Sequence, residues 1–579
     1  MLLNVLHRPV TGVNYPYYKL QQEYAHRLKL KVTLVIPAAS LEDDRMVEEI
    51  LRDQQEYGDE LALWLWRGRP EWGGNAPYWL LSKENKRKTL AHDLELFRGK
   101  LGQEPVSIGS YLFDSQSMEL IRELSPSTTT VTAGCFEEGT KVFHGCNHSW
   151  YLFSEGMSWG PWYAAKGHSF RPAADESDWS GLVAIPHLSR DLALAYEGRN
   201  DFFASHPANV QRGLANRGLR HPYDFNLIDQ YRMQENMNDG YSFYHVHVSP
   251  PWLGDNPNVQ DPPEISQQIY LETLEYLAQL RDEGSIRDMH MKEFGEWYKL
   301  NIPFHQPAVA LGKDMLYGSG KHYMWYIDPA FRVLIDANQG GSIGDLRPYA
   351  GRFAAYSGPD SPMREMASYP YLIQSQLRTG TVHHSSDGAR TTLYVTAGTQ
   401  TLDLCECQTR VAAVDRDGSR TRVTLTPAAL HFKSGLKAQI ETVYEFTGEG
   451  VILINRRLLS ISDPAQQLGI QEYFKGCYGF TEYAEDLHGI VLEVCGEESR
   501  QELAFQYGSR SIKAVRGQWA AASIPQISTR VALESMNTAC LSAEAEEGHL
   551  FNPYFTLKLN HILSDDRREA AACLTIRKA

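Results

Sequence analysis

Over its first 300 residues the chain alternates short apolar runs with amphipathic ones, and this alternation restricts the available folds more than any other feature. Strand-like runs fall at LLNVLHRP (2–9), KVTLVIP (31–37), ELALWLW (60–66), SIGSYLFD (107–114), TTTVTAG (128–134), GLVAIPHLS (181–189) and YSFYHVHVSP (241–250). Most are apolar at successive positions, as strands buried on both faces of a parallel sheet are. Helical patterns separate them, among them LEDDRMVEEILRDQQEYG, SKENKRKTLAHDLELFRGKLG and the capped PPEISQQIYLETLEYLAQLRDEGS at 262–285. IRDMHMKEFGEWYKLN, which follows, reads as a closing strand and helix. Short right-handed crossovers lay successive strands side by side, so an α/β fold with a (β/α)7-type barrel is expected over residues 1–325. The other arrangement open to this pattern is a doubly wound sheet. In both, functional groups collect at the carboxyl ends of the strands.

From about Met324 the character changes. TRVTLTPAALHFK, AQIETVYEFTG, GVILINRRLLS, GIVLEVCG and YFTLKLNHIL alternate in polarity and are separated by Gly, Asp and Ser turns. That is the pattern of an antiparallel all-β unit, and a C-terminal β-sandwich domain is expected over 326–579, with residues 331–351 as its opening hairpin.

A chain of 579 residues exceeds what one core supports, and with 42% hydrophobic and 22% charged residues it has enough apolar surface to fold throughout. Its net charge of −15 and the absence of any Lys/Arg run oppose binding to a phosphate backbone, so no nucleic-acid partner is expected. No apolar run approaches a membrane span, and the N-terminal run is too short for a secretory signal. Eight cysteines at 135, 146, 405, 407, 477, 495, 540 and 573 lack paired metal spacing, which fits reduced thiols and a cytoplasmic location.

Residues 143–179, FHGCNHSWYLFSEGMSWGPWYAAKGHSFRPAADESDW, concentrate Trp150, Trp159, Trp162 and Trp179 with three histidines and several acids in a Gly-punctuated, aperiodic stretch. Indole faces stack on the C–H face of a pyranose while imidazole and carboxylate edges bond its hydroxyls, so the expected ligand is an oligosaccharide. The alternative is a lid packing its own aromatics. Trp66 at a strand end, His187, the same-face pair His245 and His247, and Trp252 are further expected sugar contacts, each with a structural role as its alternative. Trp64 is read as core or helix-facing.

Acids follow the same logic. Asp114 ends the fourth strand run and also suits the N-cap of SMELIREL; Glu137, with Glu138, follows the fifth, and Glu235 precedes the seventh. Glycoside cleavage uses two carboxyl groups within several ångströms, and neighbouring strand ends can supply them, so Asp114 with Glu137 is the expected catalytic pair and Glu235 a further candidate. A metal site would need about three converging ligands, for which His7, Asp114 and His247 are the available set. No GxSxG elbow or phosphate loop is present, and no cofactor or resident metal is assigned. Self-association is left open.

The order NVLHRP, VTLVIP, ELALWLW and a Lys/Glu-rich helix ahead of SIGSYLFD resembles the NodB-like polysaccharide deacetylases and the related seven-stranded-barrel glycosidases, including α-mannosidase-type enzymes, over roughly the first 300 residues. GSYLFDSQSM followed by the Cys135 segment and the Trp/Gly-rich loop is similar to an uncharacterised bacterial family in which such a barrel precedes a β-sandwich. The resemblance implies a carbohydrate-active enzyme. Where the deacetylases carry paired Asp and His-x-x-x-His motifs, this chain reads LHRPVTG and LALWLWRG, and the α-mannosidase-type His-x-Asp would fall at His7 and Pro9. A carboxylate-based glycoside hydrolase therefore fits the surviving residues better than a metal-dependent esterase; a non-catalytic carbohydrate-binding protein is the third reading.

Overall fold

The computed structural model describes the chain except for residues 73–74, 137–157, 198–206, 217, 219–221, 255–261, 351–371, 375–388, 478–489, 505–509 and 547–553. Its first half is built on ten strands: β1 (Leu2–His7), β2 (Val32–Pro37), β3 (Glu60–Leu65), β4 (Ser107–Phe113), β5 (Thr130–Phe136), β6 (Trp162–Ala165), β7 (His168–Pro172), β8 (Trp179–Pro186), β9 (Phe243–His247) and β10 (Arg287–Asp288). Seven are parallel neighbours in the order β9, β1, β2, β3, β4, β5, β8. All seven strand runs expected from the sequence are present.

Alternation along these strands sorts side chains into two sets. Leu3, Val5, Leu34, Ile36, Leu63, Leu65, Ile108 and Val131 face outward into a core shared with Tyr18, Ile50, Leu90, Leu94 and Phe97 from the surrounding helices. Leu6, Val35, Ala62, Trp64, Ile185 and Phe243 face inward. Helix ends are fixed locally: Asp43 accepts from the Arg45 and Met46 amides, and Ser82 from that of Asn85.

The sheet is not closed as the expected barrel. Among the described residues no ladder joins β8 to β9, because the free edge of β8 is taken by β6, which pairs Trp162 with Ala184 and Tyr163 with Val183 in antiparallel sense. Past that edge β9 is joined to the end of β8 and the turn after it: Ser189 N donates to His245 O (3.0 Å), and His245 Nδ1 lies 2.8 Å from Pro186 O. The result is a curled sheet whose seam is stitched by side-chain and loop hydrogen bonds.

The amino-terminal end of this sheet is plugged. Helix Met291–Asn301 lies across it, and the buried Glu60 accepts from Thr33 Oγ1 (2.9 Å), Ser107 Oγ (2.6 Å) and Lys292 N (3.1 Å). Gly295 permits the approach, since a Cβ there would stand 2.3 Å from Thr130 Cγ2. Any chemistry inside the sheet must therefore be reached from the carboxyl end.

A five-stranded antiparallel sheet follows, Ala308–Lys313, His322–Ile327, Phe331–Asp336, Ser342–Pro348 and Ile373–Gln374. Phe331–Asp336 and Ser342–Pro348 form a hairpin within it, but two strands precede them, so this is not the opening hairpin expected, and the division placed at 325/326 falls inside the strand His322–Ile327. Tyr323, Trp325 and Leu334 pack on the first half; Met324, Tyr326, Val333 and Ile335 pack on a 14-stranded antiparallel sheet that spans the remainder, with Tyr326 stacked on Phe446 at 4.0 Å. No described helix is long and apolar enough to cross a membrane. Cys405, Cys407, Cys495 and Cys573 form no disulfide.

Candidate functional site at the carboxyl mouth

Five strands deliver inward-facing polar and aromatic residues to the open end. Arg8 directly follows β1, Trp64 lies in β3 with Trp66 just past its end, β4 supplies Tyr111, His187 directly follows β8, and β9 ends on His247 with Ser249 two residues beyond. Trp64 fills the lumen above Gly109, where a Cβ would come 2.5 Å from the indole. The Trp64 ring is stacked with His247 (6.1 Å, 17°), which lies 5.3 Å from His187. Tyr111 meets Trp64, Trp66 and Trp79 edge-on at 5.3, 4.7 and 5.9 Å, and His187 at 6.3 Å. Trp66 and Tyr111 are half-buried, so aromatic surface remains open to a ligand.

Arg8 ties the cluster together. One guanidinium nitrogen donates to Tyr111 Oη (2.8 Å) and another to Ser249 Oγ (3.0 Å), with its carbon 4.7 Å from the Trp66 ring centroid. Arg8 is only 5% exposed, yet both of its hydrogen-bond partners are neutral. Arg332 and Arg456, equally buried, each hold a carboxylate, Asp345 and Glu472. Beside Arg8, the buried Trp64 Nε1 has no hydrogen-bond partner among the described residues.

The other expected site residues are spread more widely. His245, one step deeper than His247, is fully buried, and burial lowers its pKa to about 3, so it is a neutral hydrogen-bonding group. Trp252 is half-buried near the mouth with Arg212 5.9 Å from its ring. Trp159 packs edge-on against Trp325 at the junction with the five-stranded sheet, and Trp162 against Phe136 with its Nε1 donating to Ser169 O. Neither belongs to the mouth cluster. Trp150 and Glu137 lie outside the described residues.

Asp114 sits at the carboxyl end of β4, as expected, but its oxygens are engaged. Oδ1 accepts from Ser117 N (2.7 Å) as the N-cap of helix Ser115–Leu124, and Oδ2 lies 2.6 Å from the ammonium of the fully buried Lys86. Burial pushes its pKa up, but Lys86 and the Ser117 bonds outweigh that and hold it below the usual carboxylate range. Glu235 bonds the amino group of Met1, at the start of β1. A six-residue strand spans about 20 Å, so Glu235 and Asp114 stand at opposite ends of the sheet.

The three potential metal ligands do not converge. His7 points outward, between Gln22 and Tyr270 Oη (2.6 Å), and burial lowers its pKa to about 4; Asp114 lies with Lys86 on the helical layer; His247 points inward. No group of three His, Cys, Asp or Glu able to hold a metal ion occurs among the described residues. The donor set therefore does not fit the deacetylase pattern.

Arg8, Tyr111 and Ser249 were passed over in the sequence reading, which weighed histidine, tryptophan and acids. The signal was present: in LLNVLHRP the period of two that turns His7 outward turns Arg8 inward.

No family model matches this chain, and no curated protein does. Among solved structures it is similar to a 4-alpha-glucanotransferase from Thermococcus litoralis (10% identity, 100% of this chain and 99% of that one, TM-score 0.30). It is also similar to a galactose mutarotase-like protein from Clostridium acetobutylicum (10%, 47% and 98%, 0.29). A third likeness is to a protein described as a polysaccharide deacetylase from Mycobacterium smegmatis (13%, 52% and 91%, 0.30). Likenesses of this strength assign no activity to the chain.

Proposed function

We propose that the protein binds and processes a saccharide at the carboxyl mouth of its parallel sheet. The observation that carries this reading is the packing of Trp66 and Tyr111 on the guanidinium of Arg8, with His187 and His247 joined to them through Tyr111 and Trp64, at the end of the sheet opposite helix Met291–Asn301. Half-buried aromatic faces beside imidazole, hydroxyl and guanidinium edges are the groups a sugar ring requires.

Glycoside hydrolysis is the reaction we assign to it, with Asp114 and Glu137 as the carboxyl pair. The engagement of Asp114 by Lys86 and Ser117 favours a second reading, saccharide binding without catalysis. A panel of oligosaccharides separates the two: hydrolysis that disappears in Glu137→Gln supports the first, and binding without turnover supports the second.

Binding itself is tested at Trp66. Trp66→Ala should weaken saccharide affinity at least tenfold, about 1.4 kcal/mol, with the fold retained because the ring is half-buried. Isothermal titration of the folded variant checks this; unchanged affinity would remove Trp66 from the site.

A further inference from the structure

We infer that the saccharide recognised at the mouth carries an anionic substituent, a carboxylate or a sulfate ester, and that Arg8 is the residue that pairs with it. This inference rests on the saccharide reading above and deepens it to a substrate class.

Three observations lead there. Arg8 is withdrawn from water without a countercharge: its two hydrogen bonds go to hydroxyls, and no carboxylate forms an ion pair with it among the described residues. An isolated buried cation costs several kcal/mol unless it is paired, and the buried Arg332, Arg347 and Arg456 are each paired with a carboxylate. One without a carboxylate partner among the described residues, at the end of the sheet opposite the plug, is the charge a ligand would complete.

The geometry also fits an anion attached to a sugar. Tyr111 and Ser249 each accept from a different terminal nitrogen of Arg8, and such a fork, held at both tips, keeps a fixed orientation. A planar, oriented guanidinium matches carboxylate and sulfate oxygens better than a flexible ammonium. The half-buried Trp66 ring lies beside it, its centroid 4.7 Å from the guanidinium carbon, so the same ligand can stack its ring while presenting its charge. The histidine pair is linked to this cluster through Tyr111, 6.3 Å from His187.

A glycan array bearing neutral, uronate-containing and sulfated glycans, probed with the full-length protein, tests this. Bound glycans should be anionic, and the uronate and sulfate sets tell which group is recognised. Arg8→Gln should lose them by at least tenfold and Arg8→Lys by an intermediate factor, while the melting temperature of Arg8→Gln stays level or rises because a buried charge is removed. Binding confined to neutral glycans, anionic binding that survives Arg8→Gln, or a marked fall in its melting temperature would each overturn the inference. In those cases loss of binding in Trp66→Ala would still leave the mouth as the saccharide site. Absence of binding to any glycan would overturn the saccharide reading itself.

Discussion

Replacing Asp224 with asparagine is expected to stabilise the protein, and the gain should grow with pH. Asp224, on helix Tyr223–Met233, is buried; one oxygen lies 3.4 Å from Thr273 Oγ1 and the other has no partner among the described residues. Burial raises its pKa to about 7, far above the ordinary value of 3.8, so the folded protein holds a proton that the unfolded chain releases. The sign follows directly. Stability is fully present below about pH 4, declines as the unfolded chain's carboxylate ionises, and reaches its floor once pH passes about 7. Asparagine keeps the neutral shape at every pH. The variant should match the wild type near pH 4 and exceed it at pH 8 by on the order of 4 kcal/mol, each pKa unit being worth about 1.4. Urea midpoints across that range measure the difference, and a constant gap would show that ionisation of Asp224 is not its source. Asp191, raised to about 6 by burial although it accepts from Tyr223 Oη, adds a smaller dependence of the same sign.

The second large effect concerns Lys86 and Asp114. Lys86 is completely buried, and its ammonium is 2.6 Å from Asp114, whose side chain is 13% exposed. Asp114→Asn leaves that ammonium without a countercharge and is expected to cost about 3–5 kcal/mol. Lys86→Met leaves the partly exposed carboxylate with its Ser117 bond and should cost less, about 3 kcal/mol. The double variant should recover much of the loss, because both charges are gone, and a double-mutant cycle in urea gives the coupling. This bears on the reaction. Loss of turnover in Asp114→Asn alone does not identify a nucleophile, since the ion pair with Lys86 is lost with it while the amide oxygen can still cap the helix. A catalytic Asp114 would leave Lys86→Met active with a shifted pH profile and the double variant folded but inactive.

The seven parallel strands were legible because each is a short apolar run between strong helix patterns, and the C-terminal antiparallel unit because its strands alternate cleanly. Closure was not. Whether β9 reaches β8 depends on the hairpin partner Trp162–Ala165 taking the β8 edge, a long-range pairing that no local period announces. Within the site, Trp66, His187 and His247 were identifiable as residues at strand ends, and the structure brings these three together. Arg8 and Tyr111 were missed although their faces could have been counted from their neighbours. Trp159 and Trp162 were grouped with the site on composition, but a tryptophan serves a sugar cleft or a core equally well, and only tertiary packing puts Trp159 on Trp325 and Trp162 on Phe136. Asp114 was readable as both a strand-end acid and a cap, and the structure shows it at the end of β4, capping the next helix.

The most direct test of the saccharide site is a crystal structure of the full chain with a glycan that it binds. The account predicts sugar density at the carboxyl mouth, one ring against Trp66 and polar contacts from Arg8, His187 or His247. Density confined elsewhere, for example in the roughly 710 Å³ cleft lined by Gln400, Lys433 and Asp463 on the C-terminal sheet, would contradict it.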